Sequence, residues 1–143
     1  MSKLQNGNKH RGFTLIELLI VMAIIALLAA LVGPRLIAAL GSSQVKTTQA
    51  QIELLSTSLM QYRISNGRYP NAEEGLKSLI ENPGLPSWSG PYLQKKKLPK
   101  DGWGAQFHYQ IPPERGGLDY DLYSFGADGR DGGEGENAVV GNW

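Results

Sequence analysis

No cysteine occurs in the 143 residues, so neither a disulfide framework nor a cysteine-ligated metal centre holds this chain together. Histidine is nearly absent too. His10 and His108 are too few for a zinc set, and no G-x-S-x-G elbow or P-loop accompanies them. His108 falls within a predicted strand and reads as a surface residue. Charge of one sign is also lacking: 14 basic and 13 acidic residues leave a formal +1, which gives nucleic-acid binding no electrostatic support. No internal repeat points to a solenoid. These absences leave catalysis little to stand on and turn attention to the apolar and glycine-rich segments.

The longest apolar segment runs from Phe13 to Val32, interrupted only by Thr14 and Glu17. About twenty helical residues span the roughly 30 Å of a bilayer core, and apolar side chains cover the whole circumference. One transmembrane helix is predicted within residues 13–40. Lys3, Lys9 and Arg11 precede it without an acid among them, which keeps the amino terminus cytoplasmic and the remainder outside. Losing these three basic residues with a leader of residues 1–12 shifts the formal +1 by three units, to −2. An ordinary secretory signal has a shorter apolar core, with its cleavage site behind that core. The alternative is nevertheless a secreted or membrane-anchored binding domain whose ordinary signal is cut after Gly41, in Ala39-Leu40-Gly41, or retained.

Residues 41–143 are long enough for one small domain with a modest core. Gly33-Pro34 is expected to kink or loosen the first helix, because proline removes the amide that would bond the Ala30 carbonyl. Val45, Ile52, Leu55, Leu59 and Tyr62 then form one stripe at helical spacing, ending near Asn66-Gly67. Asn71 and Glu74 have the spacing of a capping box before a short second helix that ends by Asn82-Pro83. Lys95-Lys96-Lys97 and Lys100 make a basic cluster, read as a solvated face. Gln106–Ile111 and Asp119–Phe125 read as strands, with a third around Ala138-Val139-Val140. The predicted class is α+β: a long amino-terminal helix packed on a small antiparallel sheet, with a glycine-rich carboxyl-terminal loop.

Two places carry chemistry. A carboxylate within a membrane span is costly, so Glu17 needs a partner. A cut between Gly12 and Phe13 would create one, an α-amine of pKa about 7.7–8.0. The pair could form within one chain or between axially shifted subunits; alternatively Glu17 snorkels to the interface or protonates. The second place is Gly126–Asn137. By composition it reads as a solvated turn, although its oxygens also suit calcium. It is no EF-hand, since Arg130 stands at the third position.

Arg11-Gly12-Phe13-Thr14-Leu15-Ile16-Glu17-Leu18 resembles the class III signal of type IV pilin-like proteins. The resemblance implies cleavage after Gly12 by a prepilin peptidase, N-methylation of Phe13, subunit docking through Glu17 and a helix proline at Pro34. Asn66-Gly67-Arg68-Tyr69-Pro70, Gly90-Pro91-Tyr92-Leu93, Trp103-Gly104, Ser124–Gly129 and Gly141-Asn142-Trp143 resemble the major pseudopilins of type II secretion. That branch implies a homopolymeric periplasmic pseudopilus anchored in the Gram-negative inner membrane. Minor pseudopilins, an assembly platform and its ATPase would be partners, and export of folded proteins the purpose. A type IV pilus subunit or a minor pseudopilin is the nearest alternative. The branch also implies a calcium loop in place of a disulfide, with Asp128 and the carbonyls of Phe125 and Arg130 as ligands. Asn137-Ala138-Val139-Val140 departs from an Asp-rich pattern, so the second acidic ligand falls to Glu134, Glu136 or Asn137. Gly102 replaces a usual proline, a change expected only to loosen a turn.

Overall fold

The computed structural model describes residues 12–143. Leader residues 1–11, including Lys3, Lys9 and Arg11, lie outside the described residues. The chain divides into two compact units, one up to Ala38 and the other from Ala39 to Trp143.

In the first unit, Gly12, Phe13 and Thr14 lead irregularly into helix α1, Leu15–Asn66, whose amino-terminal portion is apolar on every side. From Gly12 to Ala38 every residue but Gly33 is exposed, including Phe13 at 90% and Leu27 at 73%. This segment is long and apolar enough to cross a membrane. The predicted loosening at Pro34 does not become a break, because the helix continues past it. Proline removes one amide from a long ladder, and the hydrogen bonds on either side maintain the element.

The second unit holds the core. Ile52, Leu55, Leu59 and Tyr62 are buried as the spacing predicts, against Leu76, Leu79, Leu93, Phe107, Tyr120 and Leu122. Val45 is only half-buried, and the next buried position toward the stripe is Thr48. The helix stops at Gly67, whose φ of 75° suits glycine and whose amide donates to the Arg63 carbonyl at 2.7 Å.

The capping box is present: Asn71 N donates to Glu74 Oε2 at 2.9 Å and Glu74 N to Asn71 Oδ1 at 2.8 Å. Arg68 grips Glu74 with two guanidinium bonds of 2.6 and 2.7 Å, and this contact is the main reason the Glu74 carboxyl falls to about 2. The short second helix behind the box is a single 3₁₀ turn, Leu76–Leu79, which ends before Asn82-Pro83. Gly75, at φ 53°, takes the chain out of helical conformation immediately after the box.

Strands β1 (His108–Gln110), β2 (Asp121–Ser124) and β3 (Val140–Gly141) form an antiparallel sheet in that order. Tyr109 faces Leu122 across β1 and β2, and Ser124 faces Val140 across β2 and β3. The α+β expectation therefore holds, with a long helix over a three-stranded sheet. His108 is exposed, as expected.

Gly102 does more than loosen a turn. Its α-carbon lies so close to α1 that a β-carbon would sit inside the Gln44 backbone. Its amide donates to the Thr48 hydroxyl at 2.9 Å, and that hydroxyl donates to the Gln44 carbonyl at 2.9 Å. Proline at this position loses the donor and adds bulk against backbone, which cannot rotate away. We expect Gly102→Pro to cost about 2–4 kcal/mol, measured as a lowered unfolding midpoint of the full chain. An unchanged midpoint would show that α1 and this turn can separate freely.

Candidate functional site

Glu17 already has a partner within its own chain. Thr14 donates to Glu17 Oε2 through both its amide and its hydroxyl, each at 2.9 Å, and the Glu17 amide donates to Thr14 Oγ1 at 3.3 Å. This reciprocal capping box satisfies orphan donors at the start of α1 while holding the carboxylate at its amino-terminal end. The Thr14-x-x-Glu17 spacing signals such a box, a neutral partner that reasoning from charge alone overlooks. Gly12 and Phe13, the expected cleavage pair, are both exposed next to it.

At the other end of the chain, the glycine-rich loop leaves β2 through Ser124 and Phe125. Ser124 donates to Asp101 Oδ2 at 2.6 Å and accepts from the Gly126 amide at 3.1 Å. Asp101 Oδ1 also accepts from the amides of Trp103, at 3.0 Å, and Ala105, at 2.7 Å. The loop's neck closes where Ala127 N donates to the Glu136 carbonyl at 2.8 Å. Gly126, at φ 78°, lies against the carbonyls of Glu136 and Ala138 where no side chain fits. Opposite, the Glu136 side chain crosses α1 at Gly41, using the space that a β-carbon there would need.

Calcium requires six to eight oxygens converging at about 2.3–2.6 Å. Among the described residues, no three or more His, Asp or Glu side chains cluster closely enough to hold an ion. Asp128 Oδ1 accepts from the Arg130 amide at 3.1 Å, and the Asn137 carbonyl faces Gly133. Glu136 is turned toward Gly41, while Glu134 is exposed. Phe125 packs its ring on His108, with centroids 4.6 Å apart. Phe125, Asp128, Arg130, Glu134, Glu136 and Asn137 thus share a loop, but the acidic side chains among them are not gathered about one point.

Sequence reasoning missed the ordering of the neighbouring turn by Asp121, which is fully buried. Asp121 Oδ2 accepts from the amides of Glu114 and Arg115, both at 2.6 Å, and Oδ1 from Gly117 at 2.8 Å. Burial pushes its carboxyl up, but these amides and Arg115 outweigh it, and the group ends below the ordinary carboxylate range. An acid inside the aromatic strand Tyr120-Asp121-Leu122-Tyr123 is the signal that could have revealed it.

A family model described as type II secretion system (T2SS), protein G, matches residues 35–143, and one for the prokaryotic N-terminal methylation motif matches residues 7–33. The chain belongs to the type II secretion system protein G family. The type II secretion system core protein G of Pseudomonas aeruginosa is 39% identical over 140 residues, covering 94% of this chain and 96% of that protein. Its namesake in Vibrio cholerae is 36% identical, covering 94% and 92%. The crystal structure of the major pseudopilin from the type 2 secretion system of enterohaemorrhagic Escherichia coli superposes with a TM-score of 0.57 at 29% identity, covering 71% of this chain and 88% of that one. The chain is a major pseudopilin, a structural subunit and not an enzyme.

Proposed function

We propose that this pseudopilin is held in the inner membrane as a single-pass anchor, with a cytoplasmic amino terminus and a periplasmic domain from residue 41 onward. Prepilin peptidase cuts between Gly12 and Phe13 and methylates the new Phe13 amine. The processed subunits polymerise into a periplasmic pseudopilus that helps export folded proteins across the outer membrane. Minor pseudopilins, an inner-membrane platform and its ATPase are its partners in assembly, and Pro34 is where the helix gives way during extraction. The observation that carries this reading is an apolar helix exposed on every side, immediately behind an exposed Gly12-Phe13. Such a surface requires lipid first and copies of itself afterwards.

The rival cut after Gly41 falls inside α1, at a residue buried beneath Glu136, where a peptidase has no extended chain to grip. Mass spectrometry and amino-terminal sequencing of the processed protein test the choice. N-methyl-Phe13 is expected; Ser42 as the first residue would replace this reading with an ordinary exported domain.

A further inference from the structure

The loop from Gly126 to Asn137 lacks a gathered set of carboxylates, but it does meet a cation. Arg115, in the connection between β1 and β2, reaches Asp131 with both terminal nitrogens: Nη1 to Oδ1 at 2.8 Å and Nη2 to Oδ2 at 2.8 Å. This is the planar two-bond fork that guanidinium makes with a carboxylate and that a lysine cannot reproduce. The guanidinium carbon lies 4.6 Å from the Tyr123 ring centre and 5.5 Å from that of Phe125. The rings cover it at the root of the loop, on β2 and the residue after it. Its backbone is fixed as well, because Asp121 accepts the Arg115 amide at 2.6 Å. The arginine is thus held by strand, turn and aromatic faces before it meets Asp131.

We propose that this pseudopilin's glycine-rich loop carries its own cation, with the Arg115 guanidinium binding Asp131 and closing the loop in the role a divalent ion would fill. One ion gathers several oxygens at a point; one guanidinium gathers two on a line. A loop held by the fork needs only one aspartate in register, so its remaining acids are free of that duty. Asp128 caps Arg130, Glu136 packs on α1, and Glu134 faces solvent. Closure is then independent of free calcium and sensitive to ionic strength, since Asp131 is partly exposed. The fork belongs to the folded domain, so its closure does not depend on where the leader is cut.

The full chain in detergent micelles provides the test, with glutamyl endopeptidase cleavage at Glu134 and Glu136 reporting loop opening. For the wild type, calcium chloride and chelator should leave the cleavage rate unchanged, while added salt should raise it. Asp131→Asn and Arg115→Gln should each speed cleavage about three- to fivefold, as for a half-exposed ion pair. Combining them should add nothing further, because either change alone removes the fork. Slower cleavage with calcium, faster cleavage with chelator, or additive effects of the two substitutions would each overturn the proposal.

Discussion

Glu17→Ala is expected to insert in the membrane normally and to lower the yield of sheared pseudopilus by at least about tenfold, read by immunoblot beside total subunit. Insertion survives because the substitution removes the one acid of an otherwise apolar span. Assembly fails because the proposed contact is electrostatic, between the carboxylate and the amine created before Phe13. The capping box sharpens this expectation. Glu17 Oε2 already binds the amide of Thr14, one residue beyond that amine, so the carboxylate is held at the chain end where the positive charge will appear. Methylation leaves the amine basic, so the attraction persists. Docking in lipid or in a fibre core strengthens such a pair, because little water screens it. Normal fibre yield from Glu17→Ala would remove the pairing idea and leave the carboxylate a helix cap only.

The second large effect is on stability. Asp121→Ala is expected to destabilise the domain by about 3 kcal/mol or more, since three amides lose their acceptor at a fully buried site. For a unit of this size that lowers the melting midpoint by roughly 10 °C or more. The pH dependence has a definite sign. A carboxyl below its ordinary range when folded adds stability above its unfolded pKa, and that stability is lost as pH falls through the folded value. Acid sensitivity should therefore lessen in Asp121→Asn, which keeps the shape and one acceptor oxygen. Melting curves of the two variants and wild type across the acidic range measure both effects. A midpoint for Asp121→Ala within a few degrees of wild type would mean that the Glu114–Gly117 turn is not anchored by this carboxylate.

Features legible without coordinates were those that repeat at a fixed spacing. Ile52, Leu55, Leu59 and Tyr62 announce their helix because burial selects one face every three or four residues. Asn71 and Glu74 announce their box, although the short helix behind it is only the 3₁₀ turn Leu76–Leu79, since Gly75 turns away before any periodic face accumulates. Contacts between distant residues left no such trace. Nothing near Gly102 tells that the Gln44 backbone will lie against it, and nothing near Arg115 points sixteen residues ahead to Asp131. The six residues expected around calcium shared a loop, as their proximity in sequence required. The directions of the acidic side chains among them depended on α1 and on backbone groups that no local pattern encodes.

The sheet is unusually small for a protein whose function is to polymerise. Its two edge strands have only three and two residues, β1 and β3. Edges that short offer too few free amides and carbonyls to recruit another chain by strand addition, the route that leads to uncontrolled cross-β aggregation. Strand-to-strand association is thereby disfavoured in a subunit that assembles into a pseudopilus, so the small sheet guards against the wrong polymer.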